Sequence, residues 1–98
     1  MHARISRLEA SAERLDEMAR QFEQETLPQL QEIDGFKGYQ LLGDRASGTA
    51  LAMVFWESAD AMQASEEVGK AARQQAANLG EARSAPSVER YEVVSQQL

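Results

Sequence analysis

The chain has 98 residues, the length of a single domain, and carries 10 basic against 16 acidic side chains, a formal net charge of −6 at pH 7. Nucleic acids and anionic membranes are disfavoured as partners, because no cluster of lysine and arginine offsets the negative charge. The absence of cysteine excludes disulfides, thiolate metal sites and a cysteine nucleophile. No stretch has the apolar segment of a signal peptide or the length of a membrane span, so we expect a soluble cytoplasmic protein.

The first third of the chain predicts a strand followed by an interrupted helix. Residues 3–9, with Ile5 between polar neighbours, are typical of a short strand. Four apolar residues then recur at helical spacing: Leu15, Met18, Ala19 and Phe22. Pro28 removes a backbone donor and crowds the preceding turn, so we expect a kink or break near residues 25–27. The helix is predicted to end at Gly35, a residue that tolerates positive φ.

Two apolar runs in the middle of the chain predict a β-hairpin. The runs are "FKGYQLLGD" (36–44) and "TALAMVFW" (49–56), and the polar loop "RASG" separates them. Gly48 in this loop suits a tight connection between antiparallel strands.

The last part of the chain predicts a divided helix and a final strand. Ser58 can cap a short helical turn, and a longer helix follows from Glu66 to a C-terminal Gly80. "VERYEVVS" (88–95) is typical of a strand. The order β-α-β-β-α-β predicts an α+β, ferredoxin-like fold, with a four-stranded antiparallel sheet and helices on one face.

The strand 49–56 is apolar on both faces. One face carries Leu51, Met53 and Phe55, and the other carries Ala50, Ala52, Val54 and Trp56. A sheet with one face in water alternates apolar and polar residues instead, and helices from this chain can cover only one face. A second copy of the same sheet is the simplest cover for the other face, so we expect a homodimer that pairs through the sheet.

The sequence resembles the antibiotic biosynthesis monooxygenase-like family of dimeric α+β barrels. The resemblance is carried by "DGFKGYQLLGDRASGTALAMVFWES" and the following "ADAMQASEEVGKAAR". The matching positions are a Gly-Phe-x-Gly turn and the end of the second hairpin strand: Gly35, Phe36, Gly38, Trp56, Glu57 and Ser58. The resemblance implies that residues 1–98 form one domain of this family.

The resemblance also implies a chemistry, namely oxygenation without a metal or flavin cofactor. An electron-rich aromatic or polyketide-like substrate supplies the electrons to O₂, while the protein holds it in an apolar pocket and stabilises its anion. The catalytic candidates are Trp56, through its indole N–H, and Tyr39, through its hydroxyl. The candidates for lining the ligand pocket are Tyr91, Arg73, Phe22 and Met53.

Other interpretations of these residues stay open. Trp56 and Tyr91 could serve as packing residues, and Arg73 could be a solvated surface charge. Haem degradation, a second activity in the family, is disfavoured because the only histidine is His2 and the only asparagine is Asn78, neither at the position the family pattern requires. The alternatives to an enzyme are a non-catalytic or stress-associated dimeric barrel that binds a small apolar ligand, and a purely structural dimer with a filled core.

Overall fold

Four strands form one antiparallel sheet in the computed structural model, which describes residues 1–98. The strands are β1 (His2–Glu9), β2 (Phe36–Gly43), β3 (Thr49–Trp56) and β4 (Ser87–Glu92). Their spatial order is β2-β3-β1-β4, so the hairpin of β2 and β3 lies on one side of β1 and β4 lies on the other. The predicted fold class is confirmed.

The helical segments pack on one face of this sheet. They are a 3₁₀ turn (Ala12–Arg14), α1 (Leu15–Gln21), a π-helical turn (Phe22–Thr26), α2 (Leu27–Gln31), α3 (Ala59–Ala64) and α4 (Glu66–Leu79). The division of the second helical region into α3 and α4 matches the sequence prediction, and the Ser58 side chain accepts a hydrogen bond from the Ala61 N–H at 3.1 Å. None of the helices is long and apolar enough to cross a membrane.

The irregularity predicted ahead of Pro28 takes the form of the π-helical turn. The Leu27 N–H donates to the Phe22 carbonyl, five residues earlier, instead of closing an ordinary α-helical turn. Pro28 then lies in the first turn of α2, directly after the π-helical turn. The helical segments from Leu15 to Gln31 therefore follow one another without a break over the sheet. The chain then reverses at Gly35, whose φ is 95°.

The last strand is shorter than predicted, because β4 ends at Glu92 rather than at residue 95. Glu92 pairs with His2, the first residue of β1, so β1 offers no further partner. The Val93 N–H still donates to the Met1 carbonyl at 2.8 Å, but Val94 is 89% exposed.

The core beneath the helices consists of two separate clusters. One is formed by Leu8, Ala10, Leu15 and Met18, near the N-terminal end of α1. The other is formed by Leu30, Val54, Trp56 and Met62, where β3 ends beneath α2 and α3. Side chains of both clusters line a cavity between them.

No helix packs on the opposite face of the sheet, and only its Phe55 end is covered, where Gln96 and Leu98 of the C-terminal tail line a pocket with the buried Phe55. This open face carries Met53 between its neighbours Ile5 on β1 and Gln40 on β2, and Met53 is only half-buried. Leu42 is 46% exposed and Tyr91 is 52% exposed. An apolar strip of this kind is unusual on a monomer surface.

Gly48 ties the hairpin loop to the end of β1, and its replacement tests that contact. Its φ is 84°, and a Cβ at this position would collide with the Ala10 carbonyl oxygen. We expect Gly48→Ala to lower the free energy of unfolding by about 2 kcal/mol more than Gly38→Ala does. Gly38 is the matched control because its φ is 140° and its Cβ would meet nothing within 4 Å. Denaturant unfolding of both variants checks the prediction, and equal losses of stability would contradict it.

Candidate functional site

A cavity of about 240 Å³ lies between the sheet and α1, and 11 of its 14 lining residues are hydrophobic. Leu15, Met18 and Phe22 line its helical side, while Ala50 and Ala52 of β3 line its floor. The space exists because the strand side chains are small where the helix passes over them. We call this cavity the outer chamber.

The rim of the outer chamber is polar. Arg45, from the hairpin loop, donates to both carboxylate oxygens of Asp16 on α1, at 2.9 and 3.3 Å. The hydrogen bonds and the charge of Arg45 lower the pKa of Asp16. Both side chains are largely exposed, so water screens the pair. Asp16 is the one carboxylate among the lining residues, and its lowered pKa makes it a weak proton acceptor.

A second, smaller cavity of about 60 Å³ adjoins the first and lies deeper in the molecule. The two share four lining residues, Leu8, Phe22, Ala52 and Ala76. The charged and polar lining residues of the smaller cavity are Arg4, Ser6, Thr26 and Arg73, whereas those of the outer chamber, Asp16 and Arg45, lie at the rim. We call the smaller cavity the inner chamber. The π-helical turn contributes to both chambers, since Phe22 and Thr26 are its first and last residues.

Arg4 reaches the inner chamber from β1 and is almost fully buried, with 3% of its side chain exposed. Its Nη2 donates to the Met62 carbonyl at 2.7 Å and to the Ser65 hydroxyl, at the junction of α3 and α4. The same nitrogen lies 3.4 Å from a Glu66 carboxylate oxygen. Burial lowers the pKa of Arg4, and the charge of Glu66 opposes this effect. The Nε atom of Arg4 is buried and has no hydrogen-bond acceptor.

Arg73 reaches the inner chamber from α4, and its Nη1 is likewise buried without an acceptor. Burial lowers the pKa of Arg73, while the nearby carboxylate of Glu66 raises it. Glu66 is itself engaged by Arg90, which donates to it at 2.8 and 2.9 Å. The hydrogen bond from Arg90 is the main reason why the pKa of Glu66 is lowered. One carboxylate therefore faces three guanidinium groups.

Of the six candidate residues from the sequence, the structure brings Phe22 and Arg73 together at the cavity. Trp56 does not line either chamber. It is 0% exposed, lies in the core cluster with Val54 as the strand alternation predicted, and packs edge-to-face on Phe36 at 5.7 Å between ring centres. Its indole N–H is buried without an acceptor.

The remaining three candidates lie outside the cavity. The Tyr39 hydroxyl donates to a Glu23 carboxylate oxygen at 2.7 Å, and the Tyr91 hydroxyl donates to Glu89 at 2.6 Å. These hydrogen bonds raise the pKa of both phenols, which disfavours either as a base. Met53 lies on the open face of the sheet, as described above, and Tyr91 shares that face. The six predicted residues do not form one pocket.

Arg4 is the residue that the sequence interpretation missed. It shares a face of β1 with Ser6 and Leu8, and all three residues line the inner chamber. The alternation around Ile5 predicted a strand, but it did not indicate whether the even-numbered or the odd-numbered residues face the helices. The buried Leu8 could have identified that parity, because a charged residue four positions earlier then also points inward.

Comparison with known proteins identifies the family of the chain. The sequence model of the family described as antibiotic biosynthesis monooxygenase matches residues 1–76. The chain is 34% identical over 95 residues to the uncharacterized protein Rv2557 of Mycobacterium tuberculosis; the match covers 97% of the chain but only 42% of that relative.

Solved structures with the same fold include the following two. A monooxygenase from the gene ActVA-Orf6 of Streptomyces coelicolor, in complex with nanaomycin D, superposes with a TM-score of 0.80 at 11% identity, over 99% of this chain and 90% of that one. A dimeric ferredoxin-like protein from an uncultured marine organism superposes with a TM-score of 0.70 at 10% identity, over 99% and 90% of the respective chains. From the match over residues 1–76, the chain belongs to the antibiotic biosynthesis monooxygenase family.

Proposed function

We propose that this protein is a cofactor-independent monooxygenase that oxidises a small aromatic or polyketide-like molecule in the outer chamber. The observation that carries the proposal is an apolar cavity of about 240 Å³ beneath the helices of a chain in this family. With the inner chamber, the space reaches the lower end of the range of roughly 300–1,000 Å³ that holds small molecules in proteins. The ligand-bound monooxygenase of S. coelicolor, which has the same fold, supports this choice.

The proposed reaction converts a ring methylene or C–H group into a carbonyl. The substrate first loses a proton, and the resulting carbanion reduces O₂. One oxygen atom is retained in the new carbonyl group, the other leaves as water with two hydrogens from the substrate, and the substrate supplies all four electrons. The chain's contribution is to orient the ring and stabilise the anion. Because the rim carboxylate of Asp16 has a lowered pKa, we infer that the substrate is acidic enough to give its proton to water.

Filling the cavity tests the site. We expect Ala76→Leu, which places a large side chain against both chambers, to lower kcat/KM by tenfold or more. Oxygen consumption with a panel of anthrones and hydroquinones provides the measurement. Ala71→Leu is the matched control, because Ala71 is exposed on the same helix and should keep the wild-type rate. Equal rates in both variants would contradict the cavity as the site. Binding of the compounds without oxygen uptake would favour a non-catalytic ligand-binding protein.

Trp56 is expected to act through packing rather than chemistry. Trp56→Phe should lower the free energy of unfolding by ~1–3 kcal/mol, because Trp56 is fully buried in the core cluster. It should change kcat/KM far less than Ala76→Leu does, since the indole does not line the cavity. Oxygen uptake and denaturant unfolding of the same preparation separate the two effects. A tenfold loss of kcat/KM with unchanged stability would restore Trp56 as a catalytic candidate.

We further infer that the protein is a homodimer that pairs through the open face of its sheet. The half-buried Met53 and the exposed Leu42 and Tyr91 on that face support this inference, and a ferredoxin-like protein of the same fold is dimeric. Light scattering at micromolar concentration should give twice the chain mass of 10.9 kDa. Met53→Glu should give the monomer mass, whereas Gln75→Glu, exposed on α4, should remain dimeric. A monomeric wild-type protein would contradict the inference.

A further inference from the structure

Two buried guanidinium nitrogens of residues that line the inner chamber have no hydrogen-bond acceptor in the protein. They are Nε of Arg4 and Nη1 of Arg73. A charged donor that is buried without an acceptor is unfavourable, since it has lost its hydration and gained nothing in return. Buried polar groups without partners are uncommon in folded proteins, and two in one chamber point to a ligand group that accepts from both.

The charges around the inner chamber do not balance. Glu66 is the carboxylate that Arg4 and Arg90 share, at 3.4 Å and 2.8 Å respectively. Arg73 adds a third positive charge close enough to affect the pKa of Glu66. This local excess of positive charge occurs in a chain with a net charge of −6. Because the Arg4 side chain and Nη1 of Arg73 are buried, such an excess attracts an anion more strongly than it would on the surface.

Gly69 allows the two guanidinium groups to meet at the same point of α4. A Cβ on Gly69 would lie 2.8 Å from Nη1 of Arg4 and 3.2 Å from Nη1 of Arg73. Gly69 is buried, and its backbone does not need a positive φ, so the missing side chain provides space and not conformational freedom. The guanidinium groups of Arg4 and Arg73 therefore lie together beside Gly69, which also lines the inner chamber.

We propose that the inner chamber binds an ionised oxygen of the ligand, a carboxylate or phenolate, while the ligand's aromatic ring occupies the outer chamber. A volume of about 60 Å³ holds a small polar group and not a ring, whereas the adjoining 240 Å³ has apolar walls. Guanidinium groups are suited to this task because they remain charged when buried and donate to oxyanions in a fixed geometry.

This inference deepens the proposed function and rests on it for the role of the cavity. An aromatic ring bearing an ionised oxygen is also electron-rich, which is what reduction of O₂ by the substrate requires. The inference concerns binding, however, so it is tested without turnover.

Three matched probes test the oxyanion site by calorimetry: 2-naphthoate, the neutral 2-naphthamide, and 2-naphthol measured below and above its own pKa. We expect 2-naphthoate to bind wild-type protein at least about tenfold more tightly than 2-naphthamide, as expected for hydrogen bonds to a charged group. The naphthol measurements distinguish the two oxyanions, since tighter binding after its ionisation would identify phenolate as an accepted group. Equal affinities for naphthoate and naphthamide, or binding of none of the probes, would overturn the proposal.

Arg73→Gln should remove the preference for naphthoate and leave the affinity for naphthamide nearly unchanged. Lys70→Gln is the matched control, since it removes the same charge from an exposed position of α4 and should keep the preference. Arg4 is less suitable for substitution, because its Nη2 also holds the α3–α4 junction. Equal effects of the two glutamine variants would also overturn the oxyanion site.

The two proposals fail in different ways. Binding of naphthamide without a preference for naphthoate would remove the oxyanion site and keep the cavity as the ligand site. A clear preference for naphthoate, together with no oxygen uptake with the anthrone and hydroquinone panel, would support the oxyanion site and contradict the proposed monooxygenase activity.

Discussion

One buried arginine joins the sheet to the second helical region. Arg4 lies in the central part of the sheet, and its guanidinium donates to the Met62 carbonyl and the Ser65 hydroxyl where α3 gives way to α4. Ser65 is fully buried, and its hydroxyl also donates to the Met62 carbonyl at 2.6 Å. The start of α4 is therefore fixed over β1, and with it the positions of Gly69 and Arg73 further along the helix. A hydrophobic pair would fix this junction without the cost of burying a charge, so a functional role for the arginine explains its presence better than stability does.

The cavity has a different origin, because the side chains that face each other across part of the sheet–helix interface are small. Ala52 on β3 and Ala76 on α4 leave a gap between the sheet and the helices that neither core cluster fills. The π-helical turn carries Phe22 to the gap and at the same time accommodates Pro28, so the same irregularity keeps the helical cover continuous and shapes the cavity wall. The core clusters around Met18 and Trp56 pack on either side of the gap.

Local patterns predicted most of the fold. The hairpin, the Ser58 cap and the interruption before Pro28 each depend on residues within a few positions of one another, and each is present in the structure. The alternation in β3 also placed Trp56 and Val54 on the same face correctly. The site was harder to predict, because Arg4 and Met62 are 58 positions apart and nothing in either local sequence connects them. The sequence interpretation favoured large aromatic residues, but Trp56 lies in a core cluster and the hydroxyls of Tyr39 and Tyr91 donate to glutamates. The charged residues of the inner chamber are instead Arg4 and Arg73.

A crystal structure of the protein with 2-naphthoate tests whether the cavity binds an aromatic anion with its charged end inward. We expect the naphthalene ring against Phe22 and Ala52, and the carboxylate within hydrogen-bonding distance of Nε of Arg4 and Nη1 of Arg73. A carboxylate directed to the rim at Arg45, or a ligand bound on the open face of the sheet, would contradict this expectation.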